Sequence, residues 1–327
     1  MRVLVTGGAG FIGSNFVRRL IENHWAALVN SELAGAEIVV LDALATGGTL
    51  ASLAPVAASP RLRIEVGDIR DQGLVTRLMT GTDLVVHFAA ETHVDRSIAD
   101  GSPFVSVNVA GTQVLLEAAV RAGVGKFVQV STDEVYGSIR SGSWPETQPL
   151  DPSSPYSAAK AGADLLALAY HRTYGLPVCV TRAANNYGPY QFPEKLIPRF
   201  VTRLLDGKKV PLYGDGQQVR DWLHADDHGQ AVALVAAGGR PGQIYNVGGG
   251  TELTNNELTR RILAAVGAGE SMVEHVADRP GHDQRYSVDW TKLRTELGYR
   301  PRVPFDAGLA ATIAWYRENR AWWEPLG

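Results

Sequence analysis

The sequence contains a single cysteine, Cys179. No intrachain disulfide can form, and the expected setting is a reducing cytoplasm. The apolar neighbours in "LPVCVTRA" raise a thiol's pKa, so Cys179 reads as an inert core group. Excess charge is missing as well: 31 Lys and Arg against 34 Asp and Glu leave a net charge of -3 over 327 residues. That balance excludes a global attraction for nucleic acid or an anionic membrane, so any anion must be held locally. The N-terminus "MRVLVTGGAG" passes from Met and one Arg straight into a strand and a glycine loop, with no apolar segment of signal-peptide or membrane-span length. Repeats and low-complexity tracts are lacking.

Continuous apolar, β-branched runs recur instead: "RVLVTGG", "EIVVLDA", "LRIEVGD", "DLVVHFAA", "KFVQVST" and "PVCVTRA". Unbroken rather than alternating apolarity implies strands covered on both faces. Helix-like text between them implies an α/β fold with a Rossmann-type, doubly wound parallel sheet. This pattern fills residues 1–182. Beyond it the text is richer in Pro, Gly, Tyr and Trp, as expected of a smaller C-terminal substrate domain over 183–221 and 249–327. The stretch "DWLHADDHGQAVALVAAGG" reads as a helix with Asp226 or Asp227 near its N-terminus and glycines at its end, followed by a strand "QIYNVGG", and 222–248 is expected to rejoin the first domain. "LASLAPVAASP" reads as a connector with at most a short helix.

The first strand runs into Gly7, Gly10 and Gly13, a G-x-x-G-x-x-G spacing at the mouth of a helix. Such glycines permit a tight turn and a close backbone approach to a pyrophosphate, which the helix N-terminus favours. Asp42 ends the second strand. A carboxylate there accepts hydrogen bonds from the adenosine ribose and repels a 2′-phosphate, so NAD is the expected cofactor rather than NADP. Asp68, ending the third strand, reads equally well as an adenine contact or a helix cap.

Tyr156 and Lys160 stand one helical turn apart after "DPSSP", which puts phenol and ammonium on one face. A nearby Lys⁺ and a cationic nicotinamide favour phenolate, making Tyr156 a base for an alcohol proton. The strand "KFVQVST" then ends in Thr132, Asp133 and Glu134, a hydroxyl and two adjacent carboxylates. On a regular strand neighbours point to opposite faces, so the chain must turn after Thr132 for both acids to reach one ligand.

With these motifs in view, the sequence resembles the extended short-chain dehydrogenase/reductases and, within them, the dTDP-glucose 4,6-dehydratases. The resemblance runs nearly end to end, through "TGGAGFIGS", "HFAAETHVDRSI", "VSTDEVYGS", "SPYSAAKAGADLL", "TRAANNYGPYQFPEKLIP", "YGDGQQVRDWLH" and "ADRPGHDQRYSVD". Related epimerases resemble "SSATVYG" where this chain has "STDEVYG". By the family's mechanism, Tyr156 takes the sugar 4-hydroxyl proton, Thr132 bonds the same oxygen, Glu134 removes the C5 proton and Asp133 protonates the departing 6-hydroxyl. The resemblance adds Phe11, Ile12, Ile69, Ala89, Ala90 and Asn186 to the cofactor contacts. For a dTDP-glucose substrate it implies Thr92, His93, Asn185, Lys195, Leu196 and Pro211, then Tyr213, Arg220, Asn246, Arg279 and His282. It also implies a homodimer joined by a helix bundle that includes the Tyr156 helix.

Two departures stand out. Thr92 replaces a family serine and keeps the hydroxyl. "LDALATGGTLASL" differs from a family pattern closer to D-x-L-T-Y-A-G-N, so Ala45, Thr46 and Thr49 remove polar or aromatic groups beside the adenosine site. His224 and His228, with Asp226 and Asp227 between them, match a family strand-to-helix junction, and no metal is expected. Trp322 and Trp323 read as packing for the C-terminus. The same chemistry on a UDP- or GDP-hexose, a related decarboxylase or epimerase, and a non-catalytic NAD-binding sensor are the competing readings. The sensor class would be expected to have lost Tyr156 or Lys160.

Overall fold

The computed structural model describes residues 1–25 and 31–326. Six runs become parallel strands: β1 (Arg2–Thr6), β2 (Glu37–Asp42), β3 (Leu62–Val66), β4 (Leu84–His87), β5 (Lys126–Thr132) and β6 (Val178–Ala183). With the strand Ile244–Val247 they form a seven-stranded sheet in the order β3, β2, β1, β4, β5, β6, Ile244–Val247. The strand order reverses between β1 and β4, and that switch point is where doubly wound sheets open a crevice at the carboxyl ends of their strands.

Period-two geometry explains the unbroken apolar runs. Val3 and Val5 of β1, with Ile38 and Val40 of β2, pack into one core. The intervening Leu4, Val39 and Leu41 pack into another on the opposite face. Each such side chain stabilises by roughly 1.5–3 kcal/mol when fully buried, so a polar residue on either face would be costly.

A third core gathers Tyr187, Ile197, Phe200 and Trp222 with Leu258, Ile313 and Trp323. The chain returns from this region to the main sheet, since Ile244–Val247 pairs in parallel with β6. Leu293 and Tyr299 also bury into the core that holds Val3 and Val5. The 249–327 portion therefore packs against both regions.

The expected helix starts beside Asp226 and Asp227, and the "DWLH" that precedes it is strand. Val219–His224 is a strand paired with Asn185–Tyr187 and Glu252–Thr254, and the helix begins at Ala225 with His224 as its cap. Val219, Trp222 and Leu223 show no period-two alternation, and the strand is set by its pairing with Asn185–Tyr187 and Glu252–Thr254. "LASLAPV" is a 3-10 helix over Leu50–Val56.

The helical run Ser102–Ala122 is long and apolar enough to cross a membrane by length and composition, yet 44% of its apolar 18-residue window is buried inside the fold. Phe104, Leu115 and Leu116 supply its buried face. Cys179 is buried, and its thiol is pushed up to about 11 by burial.

Candidate active site

A cavity of about 490 Å³ opens at the carboxyl ends of the strands and reaches into the second region. Its cofactor end is built by β1 and the helix Phe11–Ile21. Gly7 has φ +69°, and a Cβ there would lie 2.5 Å from the Ala89 nitrogen. A Cβ at Gly13 would lie 2.2 Å from the Gly7 carbonyl oxygen, so this turn closes only with glycine. Gly10 caps the helix without a side-chain bond and no acid sits in the first turn. The N-terminal N–H groups are thus available to an anion.

Asp42 accepts from the Ala9 N–H and the Leu44 N–H, each at 2.8 Å, which fixes its carboxylate at the end of β2. Asp68 receives the Arg70 side chain, and Asp71 caps the following helix instead. Phe11, Ile12, Ile69, Ala89, Ala90 and Asn186 also line the cavity. This glycine cradle, with a free helix N-terminus and a fixed carboxylate beyond it, fits a dinucleotide.

The catalytic candidates converge from two elements. Thr132 ends β5 in extended conformation and caps a 3-10 turn, Asp133–Tyr136, through its hydroxyl and the Glu134 N–H at 3.2 Å. That turn brings both Asp133 and Glu134 to the cavity wall. Asp133 is buried, and its pKa is raised well above the ordinary value by burial first, then by the charges of Glu134 and Asp221. Burial also raises Glu134, but Arg279, Arg220 and Lys195 oppose the shift. Two adjacent carboxyls thus sit in unlike environments, which separates an acid from a base.

Ser154 and Ser157 form a capping box that starts the helix Pro155–Tyr174, aligning Tyr156 and Lys160 on the cavity side. Lys160 Nζ donates to the Val130 carbonyl at 2.7 Å, and burial lowers its pKa to about 8. Contrary to the expectation from charge alone, the protein raises the Tyr156 pKa. Burial is the main cause and Glu134 adds to it, while a hydrogen bond with Thr132 works the other way. Behind Lys160, Asp164 and Arg182 form a buried ion pair at 2.9 Å.

The substrate end is rich in cations. Lys195 Nζ donates to the Thr92 carbonyl at 2.7 Å, and Arg279 meets Asp95 at 3.2 Å, as does Tyr213 at 2.9 Å. Arg220 is oriented by the Val219 and Asp283 carbonyls and lies over the Tyr286 ring at 4.2 Å. His282 bonds Asp278 at 2.6 Å. Thr92, His93, Asn185, Leu196 and Pro211 complete the expected set along the wall, and the Asn185 side-chain oxygen is buried without a partner.

Asn246 is the exception. It is fully buried outside the cavity, accepting from the Tyr136 hydroxyl at 2.8 Å and donating to the Trp144 carbonyl at 2.9 Å. Its amide is consumed in joining the sheet to the 140s loop, so it is a structural group and not a substrate donor. Asp95 and Glu194 were missed by the sequence reading. Only their location opposite Arg279, Arg96 and His93 marks them.

His224 and His228 do not share a site: the first caps its helix through the Asp226 N–H, and the second bonds Asn186 at 2.9 Å. Thr49 caps the 3-10 helix. Trp322 packs edge-on against Tyr190 and Trp315, and Trp323 donates to the Tyr316 carbonyl.

Residues 4–312 match a family model described as GDP-mannose 4,6 dehydratase. A dTDP-glucose 4,6-dehydratase from Streptomyces niveus is 59% identical, spanning 100% of this chain and 96% of that protein. The crystal structure of DesIV, a dTDP-glucose 4,6-dehydratase from Streptomyces venezuelae with NAD and TYD bound, gives a TM-score of 0.97 at 63% identity and 100% coverage of both chains. The UDP-glucose 4-epimerase of Thermotoga maritima with UDP-glucose gives 0.88 at 32% identity, covering 98% of this chain and 100% of that one.

Proposed function

Because the chain belongs to the GDP-mannose 4,6-dehydratase family, we propose that it is a lyase that uses NAD to convert dTDP-glucose to dTDP-4-keto-6-deoxyglucose, a step of deoxysugar biosynthesis. NAD supplies reversible two-electron chemistry, so C4 is oxidised and C6 reduced with no net use of cofactor. Tyr156 accepts the proton of the sugar 4-hydroxyl while Thr132 hydrogen-bonds that oxygen, and Lys160 supports the phenolate. A ketone at C4 acidifies the C5 proton. Glu134 removes that proton, and Asp133 delivers one to the 6-oxygen, which leaves as water. Arg220, Arg279, Lys195 and His282 hold the diphosphate, with the two arginines suited to bidentate contacts.

The observation that carries this reading is the unlike pair Asp133 and Glu134 turned into the same cavity as Tyr156 and Lys160. Epimerisation at C4 needs no such acid and base. Incubation with dTDP-, UDP- and GDP-glucose should give a product lighter by one water with dTDP-glucose, and deuterium placed at C4 should reappear at C6. Label lost to free cofactor, or turnover confined to a UDP- or GDP-sugar, would contradict it.

The cofactor side is residues 1–182 with 225–248, which also carry the groups acting on the sugar. The nucleotide-sugar side is 183–224 with 249–327, since the strand Val219–His224 pairs with Asn185–Tyr187 and Glu252–Thr254. The single buried cysteine suits the cytoplasm. Val105 and Leu165 are 55% and 59% exposed on the packed helical runs 102–122 and 155–174, an apolar surface that a second copy would cover. Sedimentation should show a dimer for the wild type and a monomer for Leu165→Glu. A wild-type monomer at working concentration would remove the dimer from the proposal.

A further inference from the structure

We propose that Arg96 is a positioning residue that retains the cofactor during turnover, by fastening the adenosine-side loop to the substrate side of the cleft. The proposal rests on the function given above. A reaction that takes hydride from C4 and returns it to C6 through one bound nucleotide fails if that nucleotide leaves midway.

Arg96 sits on the short helix Val94–Ala99 and uses both terminal nitrogens. One donates to Thr46 Oγ1 at 2.8 Å and the other to Glu194 Oε2 at 3.0 Å. Thr46 lines the cavity in the loop that follows Asp42, and Glu194 lines it immediately before Lys195. These two segments already approach each other, since a Cβ at Gly47 would come within 4.0 Å of the Phe192 Cβ. The guanidinium fork joins them.

The same stretch is gripped from the substrate side. The Thr92 carbonyl accepts from Lys195, and Asp95 binds Tyr213 and Arg279. Residues 92–96 thus connect the cations proposed for the diphosphate with the loop proposed for the adenosine. Thr46, one of the departures from the family pattern, supplies the hydroxyl for this contact. With the Arg96 side chain 49% exposed, the ion pair adds little to folding stability. Its effect falls on segments that must part before a nucleotide can leave.

The test is the rate at which NAD leaves Arg96→Ala, followed by stopped-flow displacement with excess unlabelled nucleotide. Release should be about two- to five-fold faster than from wild type, the scale of one exposed charged contact. Arg96→Lys should recover part of the difference, because an ammonium can reach one partner but cannot span both as a fork. Added salt should speed release from wild type more than from Arg96→Ala. With substrate deuterated at C4, Arg96→Ala should also shed more deuterated NADH into the medium. A melting temperature near wild type verifies folding. Equal release rates for folded Arg96→Ala and wild type would overturn the proposal. The release measurement uses no sugar nucleotide, so its failure is distinguishable from failure of the dehydratase reading.

Discussion

Tyr156→Phe should leave bound NAD unreduced when the enzyme is mixed with dTDP-glucose. The phenol is the group placed to receive the 4-hydroxyl proton, and removing such a base costs roughly 10² to 10⁴ in rate. Phenylalanine keeps the ring that packs edge-on against Phe104 at a centroid distance of 6.3 Å. The loss should therefore appear in chemistry and not in folding. Burial and Glu134 raise the Tyr156 pKa, so the protein's own groups disfavour phenolate. Proton removal then depends on the Thr132 hydrogen bond and on a cationic neighbour, and Lys160, with its pKa lowered to about 8, is charged below that pH and loses charge above it. Stopped-flow absorbance of reduced nicotinamide measures this step directly. Wild-type reduction in the variant would remove Tyr156 from the role of base.

Asp133→Asn and Glu134→Gln should divide the reaction at a later point. Each keeps the shape of its side chain, yet the first cannot deliver a proton to the 6-oxygen and the second cannot accept one from C5. Both variants should still reduce bound NAD, after which reduced nicotinamide accumulates and the 4-keto-6-deoxy product forms slower by roughly 10² or more. Because both groups serve one elimination, the double variant should be little worse than the poorer single one.

The pH dependence follows from the raised pKa of Asp133. Its protonated form is present below the folded pKa and is lost as pH rises through it. Elimination should accordingly decline on the alkaline side. Asp133→Asn should lose that limb. Quenched product analysis beside the absorbance trace decides the matter. Wild-type turnover in both single variants would make the carboxylates structural, and absence of NAD reduction in both would move them to binding or to the oxidation.

The parts of this protein legible in one dimension are those encoded by short-range geometry. Apolar runs announced the strands because a strand covered on both faces favours apolar residues at successive positions, as Val3, Leu4 and Val5 show by facing alternate cores. The edge strand β3 instead alternates Leu62, Arg63, Ile64, Glu65 and Val66 and is partly exposed. Gly7 and Gly13 marked the dinucleotide turn because contacts within a few residues, and with Ala89, leave no room for a side chain. Tyr156 and Lys160 were readable from helical spacing. The adjacent Asp133 and Glu134 were conspicuous because a buried strand rarely ends in two acids.

Tertiary structure alone decided how those groups are partnered. Asp133 and Glu134 share a turn, and their unlike electrostatics come from Asp221 beside the first and from Lys195 and Arg279 beside the second, all far along the chain. Asp95 meets Arg279 across a separation of 184 residues, and nothing local to either residue specifies the other. Asn246 looked like a donor for substrate, yet the pairing of its strand with β6 buries the amide in the core, where it must satisfy Tyr136 and Trp144. Local sequence sets backbone conformation and which face is apolar. The order of strands in the sheet sets which distant charges meet, and charge interactions depend on that final distance and burial.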